Sequence, residues 1–82
     1  MQFSLYSRPG CGLCEEMLSE LAALPTAHGI PIEVIDVDLS PITRARYGHK
    51  IPVLLFGGEL VCHGRLDPQE VDKTLSFHRR PV

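Results

Sequence analysis

Two cysteines separated by two residues, set where a strand gives way to a helix, constrain this chain more than any other feature. Phe3-Ser4-Leu5-Tyr6-Ser7 reads as a short strand with Phe3 and Leu5 on one face. Pro9-Gly10 breaks that strand, and a helical pattern opens at Cys11. One helical turn brings positions i and i+3 onto the same face, so Cys11 and Cys14 can close a disulfide within the first turn. Cys11 falls at the helix N-terminus, where unpaired backbone N–H groups and the macrodipole favour an anion. A thiolate is such an anion, and it is the form of cysteine that attacks disulfides. Arg8 adds a positive charge three residues upstream, while Glu15 and Glu16 oppose it from the first turn. The pattern predicts a thiol–disulfide redox site with Cys11 as nucleophile, Cys14 as resolving thiol and Arg8 in support.

The rest of the composition narrows the setting. With 82 residues, one domain spanning 1–82 is expected. A formal net charge of −2 and a 22% charged fraction predict neither nucleic acid nor a membrane surface as partner. Arg79 and Arg80 alone do not make a basic patch. There is no apolar run near the length of a membrane span, and the first strand follows Met1 almost directly. Neither a transmembrane helix nor a signal peptide is therefore expected, and a reducing, cytoplasmic compartment is the default. In that compartment three cysteines point to catalysis or metal binding rather than to a structural disulfide framework.

Along the chain, a first helix is expected from Gly12 to Leu24, with Leu13, Met17, Leu18, Leu21 and Leu24 as its apolar stripe and Pro25 as its stop. The β-branched run Ile32–Asp38 predicts a second strand, parallel to the first through a right-handed crossover. Ser40 caps and Pro41 opens a short helix to Tyr47, and Gly48 suits a left-handed C-terminal residue. Ile51–Phe56 is an apolar strand, Gly57-Gly58 a two-residue hairpin turn, and Glu59–His63 the returning strand. Leu60 and Cys62 are expected on one face of that strand, with Glu59, Val61 and His63 on the other. A last helix starts with Asp67 as cap, docks through Val71 and Leu75, and ends near Arg79 and Arg80, whose charges complement its dipole.

Read together, these features resemble the thioredoxin fold and, within it, the glutaredoxin family. The resemblance rests on Leu5-Tyr6-Ser7-Arg8-Pro9-Gly10-Cys11-Gly12-Leu13-Cys14, Ile35-Asp36-Val37-Asp38, Ile51-Pro52-Val53 and Gly58-Glu59, in the family's order over most of the chain. It implies an α/β fold of βαβ-α-ββα order, a mixed four-stranded sheet with helices packed on it. It also implies a cis Ile51–Pro52 bond beside the dithiol, with the Ile51 backbone ready to pair with an extended thiol substrate. A thiol–disulfide oxidoreductase follows, acting on protein disulfides or glutathione mixed disulfides. Such a protein carries no bound cofactor or metal, draws on glutathione as a candidate reductant, and is expected to be a monomer.

The chain departs from the family where specificity is set. Gly12-Leu13 stands between the cysteines in place of Pro-Tyr or Pro-Phe, and Lys50-Ile51-Pro52 replaces Thr-Val-Pro. His63 takes the place of one glycine of a pair that admits the glutathione backbone. These departures favour a second reading, a redox-inactive or regulatory binding or adaptor module on the same fold. A zinc site from Cys11, Cys14, Cys62 and His63 is disfavoured, because neighbouring strand residues point to opposite faces. The second thiol, Cys14, likewise argues against an iron–sulfur cluster shared at Cys11. Cys62 reads as a small core residue, His49 and His63 as solvated side chains, and Arg44, Arg46 and Lys50 as a solvated face.

Overall fold

A computed structural model of the chain describes residues 1–78, so the expected dipole contacts of Arg79 and Arg80 lie outside the described residues. Its strands are β1 (Phe3–Ser7), β2 (Ile32–Asp36), β3 (Val53–Phe56) and β4 (Glu59–His63), and its helices α1 (Gly12–Ala23), α2 (Pro41–Tyr47) and α3 (Pro68–His78). The strands form one sheet in the order β2-β1-β3-β4. β1 runs parallel to β2, with α1 as the crossover, and antiparallel to β3. β3 and β4 form the expected hairpin, where Gly57 and Gly58 have φ of +57° and +86°. A two-residue turn of that hand needs positive φ at both central positions.

The α/β architecture is therefore the thioredoxin-like one, and its main cluster of buried side chains lies on one face of the sheet. Phe3, Leu5, Leu54 and Phe56 from the strands meet Met17 and Leu21 from α1 and Val71 and Leu75 from α3. Tyr6 points to the other face, where its ring lies 4.9 Å from that of Tyr47 at the end of α2. Ser40 caps α2 through its hydroxyl, which accepts the Ile42 N–H. Asp67 caps α3 by accepting the Gln69 and Glu70 N–H groups. Among the described residues no helix is long and apolar enough to cross a membrane.

Local chemistry moves several boundaries. α1 ends at Ala23; Leu24 caps it in extended conformation, and Pro25 opens a 3-10 turn to Ala27. Its buried side is Cys14, Met17 and Leu21, whereas Leu13 is 47% exposed and drops out of the expected stripe. β2 stops at Asp36 because that carboxylate accepts the Asp38 N–H at 2.9 Å. The contact turns the chain into a 3-10 segment over Val37–Leu39 and buries Val37. β3 begins at Val53, after Ile51-Pro52. Gly48 is right-handed, at φ −54°, and not left-handed. A Cβ there would lie 2.5 Å from the Arg44 carbonyl oxygen, so close backbone approach is what the glycine permits.

The alternation expected for β4 also fails. The β3–β4 register pairs Leu54 with Cys62 but Leu55 with Leu60, leaving Val61 as an extra residue. This bulge turns Val61 into the core and leaves Leu60 61% exposed. Cys62 is half-buried and packs against the core, close to the expected role.

Candidate active site

The C-terminal ends of β1, β2 and β4 and the start of β3 all meet at one end of the sheet. There Ser7 lies opposite Asp36, Tyr6 opposite Val53, and Val53 opposite His63. The segments leaving that end carry Arg8, the two cysteines, Asp38, Ile51-Pro52 and Gly64.

Cys11 is the N-cap of α1. Its backbone N–H donates to the Arg8 carbonyl at 3.1 Å, closing the turn that Gly10 makes with φ of +79°. Its carbonyl accepts the Glu15 N–H at 3.2 Å, the first bond of the helical ladder. The Cys11 sulfur accepts the Cys14 N–H at 3.3 Å. The sulfur thus occupies the place of a capping oxygen, where the helix end favours negative charge. Cys11 and Cys14 are paired through their sulfurs, with Cα atoms 5.3 Å apart. Cys14 is buried at 2% exposure, whereas Cys11 is partly open to solvent. Only one of the two sulfurs is therefore well placed for an incoming partner.

Arg8 has a different neighbour from the one expected. Its Nε and Nη2 donate to the two carboxylate oxygens of Asp38 at 2.7 and 3.0 Å, and Nη1 reaches the Gly48 carbonyl at 3.5 Å. The fork ties the segment before Cys11 to the turn after β2 and the end of α2. The hydrogen bond from Arg8 holds the Asp38 carboxyl below its ordinary range, and the same bond raises Arg8, with desolvation opposing each shift. Asp38 belongs to the Ile35-Asp36-Val37-Asp38 run that carries the family resemblance, but the sequence alone points to no site role for it.

The Ile51–Pro52 bond is cis. Pro52 is buried, and its carbonyl accepts the Gly64 N–H at 2.8 Å, joining the start of β3 to the loop after β4. Because Tyr6 opposes Val53, Pro52 stands abreast of Ser7, at the dithiol end of the sheet. Ile51 is half-buried and His63 exposed. Burial pushes the Cys62 thiol up, against a lowering hydrogen bond from the Asp67 backbone. Among the described residues no group of three or more His, Cys, Asp or Glu side chains is placed to hold a metal, so Cys11, Cys14, Cys62 and His63 do not converge.

The sheet order and the helix-capping Cys11 define a thioredoxin-like protein with a CxxC pair. More narrowly, the chain belongs to the family described as Glutaredoxin-like domain (DUF836), whose model matches residues 2–76. Uncharacterized proteins of Mycobacterium tuberculosis and Mycobacterium bovis are 36% identical to it, over 80% of this chain and 73% of theirs. The solution structure of protein Ne2328 from Nitrosomonas europaea is similar at a TM-score of 0.79 and 31% identity, over 89% of this chain and 88% of that one. The X-ray structure of a structural-genomics target from X. campestris has a TM-score of 0.69 at 23% identity, over 96% and 99%. Thioredoxin 1 from Thermosipho africanus shares the fold at a TM-score of 0.61 and 19% identity, over 98% and 100%.

Proposed function

We propose that this protein is a cytoplasmic thiol–disulfide oxidoreductase that reduces protein disulfides or glutathione mixed disulfides through Cys11 and Cys14. The observation that carries this reading is the asymmetry of the pair. Cys11 is reachable and takes the Cys14 N–H on its sulfur, while Cys14 is buried one turn behind it. In the first step the Cys11 thiolate attacks one sulfur of a substrate disulfide. A mixed disulfide forms at Cys11, and the other substrate sulfur leaves as a thiolate, taking a proton from water. Cys14, deprotonated, then attacks the Cys11 sulfur and expels the second substrate thiolate. The substrate gains two electrons, the Cys11–Cys14 pair loses them, and a thiol donor such as glutathione restores the dithiol.

The chain's own groups have simple roles in this scheme. The helix start stabilises the anionic sulfur. Arg8, held by Asp38, fixes the approach of the Pro9-Gly10 turn, and the Ile51 backbone beside cis-Pro52 receives the substrate strand. The test is disulfide turnover by two variants. Cys11→Ser is expected to lose activity, and Cys14→Ser to accumulate the mixed disulfide at Cys11. A Cys11→Ser variant with wild-type turnover contradicts the reading.

A further inference from the structure

β2 is an edge strand of the sheet, and α1 passes near it. The space between that edge and the helix is a cavity of about 320 Å³. Leu5, its register partner Val34, Leu18 and Cys14 line it. Val34 is 51% exposed, a large apolar side chain open to an incoming group at the mouth. The volume stands at the small end of ligand pockets, room for an aliphatic side chain together with part of the backbone that carries it. Because the cavity also borders Arg8, Pro9 and Gly10, it reaches the loop that carries Cys11. It lies on the β2 side of the dithiol, whereas Ile51-Pro52 lies on the β3 side.

The charge around the mouth is one-sided. Glu15 and Asp36 both line it. The Arg8 charge that also borders it is already matched by Asp38. One Asp36 oxygen is taken by the Asp38 N–H, so Glu15 and the second Asp36 oxygen are left to face an incoming ligand, which favours a cation and disfavours an anion such as glutathione.

Building on the redox reading above, we propose that this cavity is a specificity pocket for polypeptide disulfides whose cysteine is flanked by an aliphatic residue and a basic one. A chain crossing Cys11 pairs with the Ile51 backbone on one side and seats its aliphatic side chain on Val34 and Leu18 on the other. Its basic neighbour then faces Glu15 and Asp36. Glutathione is too short to use both sides and carries the wrong charge for the second.

The experiment is a single turnover with pre-reduced protein and no added reductant, so that both electrons come from Cys11 and Cys14. The probes are three: the homodimeric disulfide of a hexapeptide with Leu and Lys beside its cysteine, the same peptide with Ser and Glu there, and hydroxyethyl disulfide. The Leu-Lys peptide is expected to react about tenfold or more faster than the Ser-Glu peptide. Val34→Trp, which fills the mouth with a residue that strands accept, is expected to cut that ratio well below the wild-type value, to the part the carboxylates supply. Glu15→Gln is expected to lower it in part and to weaken its dependence on salt. A ratio that Val34→Trp leaves at the wild-type value overturns the pocket while the redox reading stands. Reduced protein that attacks none of the three disulfides overturns the redox reading itself, and the pocket's role with it.

Discussion

Arg8 grips both carboxylate oxygens of Asp38, at 2.7 and 3.0 Å, across thirty residues of sequence. A bidentate fork fixes orientation as well as distance, so the pair sets how the loop before Cys11 leaves the sheet. It also means that the positive charge nearest the dithiol in sequence is already matched. In the proposed mechanism the helix start is then what favours a Cys11 thiolate.

The pair makes stability depend on acid. The Asp38 carboxyl is held low by Arg8, so its contribution is complete above the unfolded carboxylate value, near pH 4, and is lost as the pH falls through the lower folded value. Asp38→Asn removes that contribution at neutral pH and leaves less to lose in acid. Urea midpoints at pH 7 and pH 3 are expected to differ less in the variant than in the wild type.

Core and surface should separate cleanly on α1. Leu21 is fully buried, and Leu21→Ala is expected to cost about 2–5 kcal/mol in urea denaturation. Leu13 sits between the cysteines with nearly half its surface open, and Leu13→Ala is expected to cost about 0.5 kcal/mol or less. Equal losses would contradict the observed rotation of the helix.

The hairpin offers a backbone test. Gly58 has φ of +86°, and a Cβ added there would meet nothing within 4 Å, so steric room is not at issue. Gly58→Ala is expected to destabilise by about 1–2 kcal/mol from the left-handed conformation alone, measured by thermal or urea unfolding. Substitution with Asn, which tolerates that region better, is expected to cost less.

Much of this was legible in the residues. Pro9-Gly10 before Cys11, Ser40-Pro41, Gly57-Gly58 and Asp67 are local signals whose geometry needs no tertiary context, and each ends or begins an element as expected. The cis Ile51–Pro52 bond followed from the family resemblance. What escaped depended on distant partners. The bulge that buries Val61 arises from the pairing of β4 with β3, and strand alternation alone carries no sign of it. Asp38 becomes Arg8's partner only because β2 lies beside β1 and the Asp36 turn swings the chain back. The cavity at Val34 lies beside an edge strand, and that place is a property of strand order and not of the Ile32–Asp36 run.

The proposed function stands on Cys11 and Cys14 forming a working redox couple with Cys11 outermost. A titration of the protein against defined glutathione poises, read by intact mass after thiol alkylation, tests it most directly. The expected result is a two-electron transition near glutaredoxin potentials, about −200 to −230 mV, confined to Cys11 and Cys14. Cys62, whose thiol burial pushes up, is expected to stay reduced and to alkylate last. Free Cys11 and Cys14 across the whole range would contradict the account and leave the fold as a binding module.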